Sequence, residues 1–527
     1  MRPQLRNALR EFVLDGSGMP ESDDYLVALG TRLRWQGDGR ARTVRRAWLD
    51  TFDWRLYRAG LTLELTSARG AAELTLTGRD GAVVAAQPAG AAGSRPRWPA
   101  LLAALPVGPL RERLAPVVGA RALLPVARAG STLHELRVLN SDDKTVARVT
   151  VDRMCLSYPA RAALPPRLTV TALRGYQAQA DRLADILAAA RGVTDGASGA
   201  LEAALAAAGR QPGDYTGKIS VRLSPQAPAV TAVAAVLQQL LGTMQANVAG
   251  VVRDIDSEFL HDLRVAVRRT RSALKLAGDV LPAGLASRFR PEFKWLGDLT
   301  TPTRDLDVYL MGYDAMAAGL VAATPAELAP FHDYLARQRA AEHRQLARGL
   351  RSSRFSRLTS EWREALGSAA ASRKTRPAAA QLAARRIRRA HRRVLDDGGA
   401  ITATSAPESM HELRKRCKEL RYLLEIFGSL YDPGEHWQAV RELKSLQDCL
   451  GEFQDTEVQR GEIRAFAAQM MDERTAPVST LLAMGEIAAG LAERQRQARS
   501  EFAGRFRDFA SPASQHRIRA MTEAAAS

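Results

Sequence analysis

Cysteine is almost missing from this chain. Its 527 residues include three, Cys155, Cys417 and Cys449, with no CxxC pair, which excludes the paired framework of a small secreted protein and fits a reducing, cytoplasmic setting. Long apolar runs are missing too. The opening MRPQLRNALREFVLDG holds no continuous apolar segment of secretory length, and no stretch of about 18 to 20 apolar residues occurs, so no membrane insertion is expected. Aromatic residues make up only 6% of the chain. Acids are in deficit: 57 Asp and Glu against 75 Lys and Arg leave a formal charge of +18 and an isoelectric point near 10.4. Such an imbalance favours polyanionic partners, whether nucleic acid, polyphosphate or acidic lipid.

A hydrophobic content of 46% is ordinary for a folded protein, and the length suits two or three domains. The first 190 or so residues carry period-two alternation in LTLEL (61–65), ELTLTG (73–78), TLHELRVLN (132–140), KTVARVTVD (144–152) and RLTVTAL (167–173), the mark of half-buried strands. NSDD at 140–143 favours a tight turn, so 132–152 reads as a hairpin. The Ala-, Pro- and Gly-rich stretch 82–106 reads as an inserted loop with a short helix. From 229 onward the pattern is helical almost throughout. The expected fold class is an α+β N-terminal domain with an antiparallel sheet at 20–205, a linker at 206–228, and an all-α domain at 229–515.

The helical half contains an internal repeat. HDLRVAVRRTRSAL at 261 lies over HELRKRCKELRYLL at 411, with identical His, Leu, Arg, Arg and Leu. The match continues: Lys294, Leu296, Asp298, Asp305 and Val308 recur as Lys444, Leu446, Asp448, Asp455 and Val458. At roughly 100° per residue, His261, Arg264, Arg268, Arg271 and Lys275 share an arc of roughly 80°, beside an apolar stripe of Leu260, Leu263, Val267 and Leu274. Arg269 falls outside that arc. In the second copy His411, Arg414, Lys418 and Arg421 take the same arc beside Met410, Leu413, Cys417 and Leu424.

Ordinarily a charge run is a solvated helix face. Solvated faces usually mix signs at i and i+4 to gain a few tenths of a kcal/mol per pair, whereas these stripes are nearly single-signed for three turns, an arrangement that calls for an anion. Neither histidine has converging ligands at metal spacing, so each reads as a donor within a cationic row. RRIRRAHRRV at 385–394 adds Arg385, Arg388, Arg389 and Arg392 on one face of the helix before the second motif, and Lys294 and Lys444 follow each motif. Asp298, Asp305, Asp307, Asp448 and Asp455 read as groups that orient cations or cap helices. No catalytic, metal or cofactor site is expected.

These motifs resemble the CHAD domain, the conserved-histidine α-helical domain, over about residues 225–515. The resemblance implies two similar four-helix bundles whose basic faces bind inorganic polyphosphate, with association to polyphosphate granules. Carried over by position, it assigns His261, Arg264, Arg268, Arg271, His411, Arg414, Lys418 and Arg421 to the anion. In the N-terminal half WLDTFDWRLYRAGLTLEL (48–65) resembles the signature of CYTH domains, of the triphosphate tunnel metalloenzyme superfamily. The tunnel enzymes use an ExExK strand, basic residues and metal-holding acids. No ExExK occurs in the first forty residues, and LTLELTS, LTLTG and RLTVTALRG depart from the corresponding patterns, so the implied domain is degenerate and inactive. Nucleic-acid binding is the second reading, disfavoured because only Tyr422 adjoins the stripes where stacking aromatics would be expected. A metal-dependent triphosphatase is the third. Oligomeric state is open.

Overall fold

The structure, a computed structural model, describes residues 9–14, 34–37, 40–90, 95–190, 192–196, 199–371 and 377–524. The chain divides into two compact units, Met1–Tyr215 and Thr216–Ser527, so the division falls inside the stretch read as a linker.

Among the described residues the first unit has eleven strands: β1 (Leu9–Leu14), β2 (Arg34–Gly37), β3 (Arg42–Asp50), β4 (Leu61–Ala68), β5 (Ala71–Gly78), β6 (Val83–Pro88), β7 (Leu124–Leu139), β8 (Thr145–Tyr158), β9 (Ala162–Ala163), β10 (Arg167–Ala172) and β11 (Val193–Asp195). They run in the order β11-β1-β10-β8-β7-β3-β4-β5-β6, with β2 on β7 and β9 on β8, and every pairing is antiparallel. Alternation decides which face is buried. In β5, Ala72, Leu74 and Leu76 go inward while Ala71 and Glu73 stay outside, and each buried leucine contributes about 1.5–3 kcal/mol. The β7–β8 turn is set by Asn140, whose Oδ1 accepts the backbone N–H of Asp142 (3.0 Å) and Lys144 (2.9 Å), while Asp143 takes a left-handed φ of 57°. The stretch 82–106 differs from its reading as a loop: β6 pairs with β5 inside it, and its helical part is a single 3₁₀ turn at Leu102–Ala104. Its helices among the described residues are α1 (Arg55–Arg58), α2 (Pro109–Val118), α3 (Gln177–Ala188) and α4 (Ala200–Ala206).

The second unit is all-helical: α5 (Ala229–Val252), α6 (Ser257–Leu276), α7 (Leu285–Ala318), α8 (Pro325–Leu350), α9 (Ser353–Ala370), α10 (Ala379–Gly399), α11 (Pro407–Phe427), α12 (Pro433–Asp472), α13 (Val478–Phe509) and α14 (Pro512–Ala524). The 3₁₀ turns Gly278–Val280 and Gly428–Leu430 follow α6 and α11. Where α5 and α10 begin, Ala229 N donates to Pro377 O (3.0 Å) and Ala379 N to Ala227 O (2.8 Å), and Pro228 bridges Ala378 in antiparallel fashion.

By length and composition α5 is apolar enough to cross a membrane, and 61% of its apolar window is buried inside the protein, as expected of a core helix. Gly250 lets it approach α6 closely, since a Cβ there would lie 2.2 Å from Phe259 Cδ1. Helix α6 starts at Asp256, whose carboxylate accepts the N–H groups of Glu258 and Phe259, a strong N-cap. Its apolar residues Leu260, Leu263, Val267 and Leu274 are buried. Further along, Tyr309, Phe331, Tyr334, Ile463 and Met484 of α7, α8, α12 and α13 share one apolar cluster.

Candidate anion-binding site

Burying the apolar stripes of α6 and α11 fixes the rotation of both helices, so the adjoining cationic stripes are displayed at the edge of the core. The two helices pack on each other, which brings Arg268 close to Lys418 and Tyr422. Among the described residues Arg268, Arg271 and Lys418 make no hydrogen bond or ion pair. Burial first, then the positive charges of Arg414 and Arg268, push the Lys418 ammonium down to about 8, against a weaker opposing pull from Asp455. Like charges forced together in a half-dry site disfavour the protonated form. An anion placed where α6 and α11 meet would offset the part of that shift due to the positive charges.

Around this centre the two copies are built differently. Arg264 donates to Thr301 Oγ1 at 2.6 Å and Thr300 Oγ1 at 3.3 Å, and burial is the main cause that lowers its pKa. Arg414 instead donates to Asp455 Oδ1 at 2.8 Å. His411 Nδ1 lies 2.7 Å from Gln454 Oε1. At the matching place beside His261 stands Arg304, and burial followed by its positive charge lowers the His261 pKa. Arg421 donates to Glu425 Oε1 (2.8 Å) and Gln447 Oε1 (3.4 Å). Arg271 has Gly297 at the place of Gln447, where a Cβ would meet its Nη1 at 2.7 Å.

Arg304 was not singled out in the sequence, although it sits in TRDLDV beside Asp305; one cation without helical partners gives no periodic signal. Thr300, Thr301 and Gln454 were equally silent, because their role appears only when α7 and α12 lie against the stripes.

Other members of the predicted set lie elsewhere. Lys275 is held by Glu419 at 2.5 Å. Lys294 and Lys444 pair one turn along their own helices with Asp298 (2.8 Å) and Asp448 (2.5 Å). Arg385, Arg388, Arg389 and Arg392 are exposed on α10, and Arg389 shares a separate cleft with Lys275. Asp307 is turned toward α8, accepting from Arg339 Nε at 2.8 Å. Arg269, left outside the stripe, joins Glu425 Oε2 at 2.8 Å and Gly217 O at 2.8 Å.

In the N-terminal unit two sheet arginines are paired with acids. Arg46 bridges Glu64 (3.3 Å) and Asp152 (2.7 Å), and Arg167 meets Glu11 at 2.6 Å. No cluster of three or more potential metal ligands occurs among the described residues. Asp50, in the segment likened to the tunnel signature, accepts the N–H groups of Thr51, Leu56 and Tyr57 at 2.7–3.0 Å. Burial outweighs those bonds and raises its carboxyl to about 6. Its place is structural, at the start of α1.

Residues 235–464 match the family model of the CHAD domain. The helical unit carries a CHAD domain. The matched CHAD segment begins within α5, ends within α12 and contains both histidine helices. Two uncharacterized proteins from two strains of Mycobacterium tuberculosis are 29% and 28% identical to the chain over 283 residues. The match takes in 52% of this chain and 52% of each relative, so the chain spans about half the length of the curated relatives it matches. Among solved structures, the CHAD domain from the plant Ricinus communis is 25% identical, covering 58% of this chain and 96% of that one with a TM-score of 0.43. PptA from Streptomyces chartreusis is 18% identical, covering 53% and 100%, with a TM-score of 0.42.

Proposed function

We propose that this protein binds inorganic polyphosphate, without catalysis, along the adjoining cationic stripes of α6 and α11, and associates through them with polyphosphate granules. One observation carries the reading: Arg268 and Lys418 converge from two helices with no acid ion-paired to either among the described residues, and burial, followed by the positive charges of Arg414 and Arg268, lowers the pKa of the Lys418 ammonium. A linear polyphosphate supplies closely spaced charge without bases, so rows of Arg and Lys grip it through charge-assisted bonds and need no aromatic platform. CHAD domains are linked in general to polyphosphate binding.

The helical halves are read as a pseudo-symmetric pair. Support comes from α5 and α10 starting 150 residues apart, from their reciprocal backbone bonds, and from the ion pairs Arg269–Glu425 and Lys275–Glu419, which exchange partners and signs under the same shift. Each half has five helices among the described residues, one more than a four-helix unit. The N-terminal sheet is read as a degenerate tunnel-like domain, a reading supported by its antiparallel strands and by arginines neutralised internally by Glu64, Asp152 and Glu11.

Competition among long-chain polyphosphate, tRNA and duplex DNA tests the assignment, together with Mg²⁺- or Mn²⁺-dependent phosphate release from tripolyphosphate. Polyphosphate is expected to win, with affinity falling steeply as salt rises, and no phosphate is expected to be released. Substituting Arg264, Arg268, Arg414 and Lys418 by Glu should abolish binding while the helical signal remains. Stronger binding of nucleic acid, or metal-dependent turnover, would overturn it.

A further inference from the structure

A second basic cleft, of about 240 Å³, lies between the end of α6, α10 and α11. Lys275, Arg386, Arg389, Arg393, Arg416 and Glu419 line it. Arg386 is bonded to Asp279, Arg416 to Asp397 at 3.2 Å and Lys275 to Glu419. Arg389 and Arg393 make no ion pair or hydrogen bond among the described residues.

What this cleft is for becomes visible 150 residues earlier, where the same places are occupied. Arg389 corresponds to Gln239, Arg393 to Thr243, Arg416 to Ala266 and Glu419 to Arg269. There a non-helical piece of the protein's own chain, Gly217–Ser220, is seated across α5 and α6. Arg269 Nη1 donates to Gly217 O at 2.8 Å. The Gln239 amide accepts Ser220 N at 3.0 Å and donates to Lys218 O at 3.1 Å. The residues 150 further on, 367–370, are the last turn of α9, so the second half has no such piece at that place, and none occupies the cleft among the described residues.

We propose that the α10–α11 cleft docks an acidic, non-helical segment of a partner protein, seated as Gly217–Ser220 is seated on α5 and α6. The exchange of readers sets the chemistry. At the matching places Gln239 reads the backbone of Gly217–Ser220, whose one charged side chain is the cation Lys218, whereas Arg389, Arg393 and Arg416 are donors only and call for carboxylates. Glu419 separates a peptide from a compact phosphate: peptide N–H groups can donate to it, while a bare polyanion offers only acceptors and would be repelled. The inference rests on the 150-residue correspondence and is independent of polyphosphate on the stripes.

The test uses the full chain and a fluorescein-labelled octapeptide of alternating Asp and Gly, with an Asn/Gly peptide as control, read by anisotropy. The Asp peptide should bind, the Asn peptide should not, and Arg389→Glu with Arg393→Glu should weaken binding at least tenfold. Arg268→Glu with Lys418→Glu should change it less than twofold while removing polyphosphate binding. If the glutamate pair disturbs the fold by circular dichroism, Arg389→Gln with Arg393→Gln serves, with a loss of at least threefold expected. Peptide binding that is absent, or that follows the stripe variant instead, overturns the proposal. So does tripolyphosphate binding that is lost in the cleft variant while the peptide's is unchanged.

Discussion

If a polyanion binds along the α6 and α11 stripes, Lys418 should make its affinity depend on pH in a calculable way. Its ammonium sits at about 8 in the free protein, against an ordinary 10.5, owing to burial and the charges of Arg414 and Arg268. A polyanion bound there would offset the repulsive part of that shift, though not the part due to burial, and move the group toward its ordinary value. A bound-state value above the free-state value means that binding takes up a proton between the two, so affinity falls as pH rises through that window. Full restoration sets the upper limit: binding at pH 9 up to about tenfold weaker than at pH 7, or about 1.4 kcal/mol, with uptake of up to about 0.9 proton at pH 9 against about 0.1 at pH 7. Titration calorimetry in two buffers of different ionisation enthalpy, at fixed ionic strength, counts those protons. Lys418→Arg keeps the charge and cannot titrate in this range, so it should flatten the profile. Equal pH dependence in Lys418→Arg and the native protein, or no proton uptake at pH 9, would refute the account.

Three further outcomes follow from the packing. Arg268→Gln with Lys418→Gln removes unpaired like charge, so the thermal midpoint of the ligand-free protein should rise by scanning calorimetry while polyphosphate binding falls, the opposition expected where a binding site stores repulsion. Glu425→Gln weakens the bonds to Arg269 and Arg421 together and should cost the helical unit about 2 kcal/mol in urea unfolding. Gly250→Ala gains about 1 kcal/mol of helix propensity, but its methyl would meet Phe259 at 2.2 Å; the overpacking penalty of about 1–3 kcal/mol should win, lowering the urea midpoint.

The parts legible in the sequence are those whose cause is local. Asn140 makes its own turn through its side-chain amide, and the hairpin was readable from it. The cationic stripes were readable because helical periodicity places them beside the apolar residues that must be buried. Strand β6 was not, because in AVVAAQP the strand-forming Val83 and Val84 are followed by Ala, Gln and Pro with no alternation, and β6 is held at the sheet's end by β5 alone among the described residues. Nor could periodicity show which cations stay unpaired. Lys275 and Arg268 belong to one stripe, yet Glu419 neutralises the first while the second faces Lys418, a difference decided by how α11 crosses α6. The Lys294 and Lys444 pairs with Asp298 and Asp448 are the intermediate case, visible at i and i+4 once both residues are placed on a helix.

The reciprocal bonds at the start of α5 and α10 give the helical unit a built-in reporter. A first-turn amide has no carbonyl to bond within its own helix, so Ala229 and Ala379 owe whatever hydrogen-bond protection they have to Pro377 and Ala227 across the junction. Amides deeper in either helix stay protected while that helix survives, even if the two halves part. Hydrogen exchange at these two alanines therefore measures the separation of the halves by itself, before any helix melts, and a ligand that bridges α6 and α11 should slow exchange at both positions together.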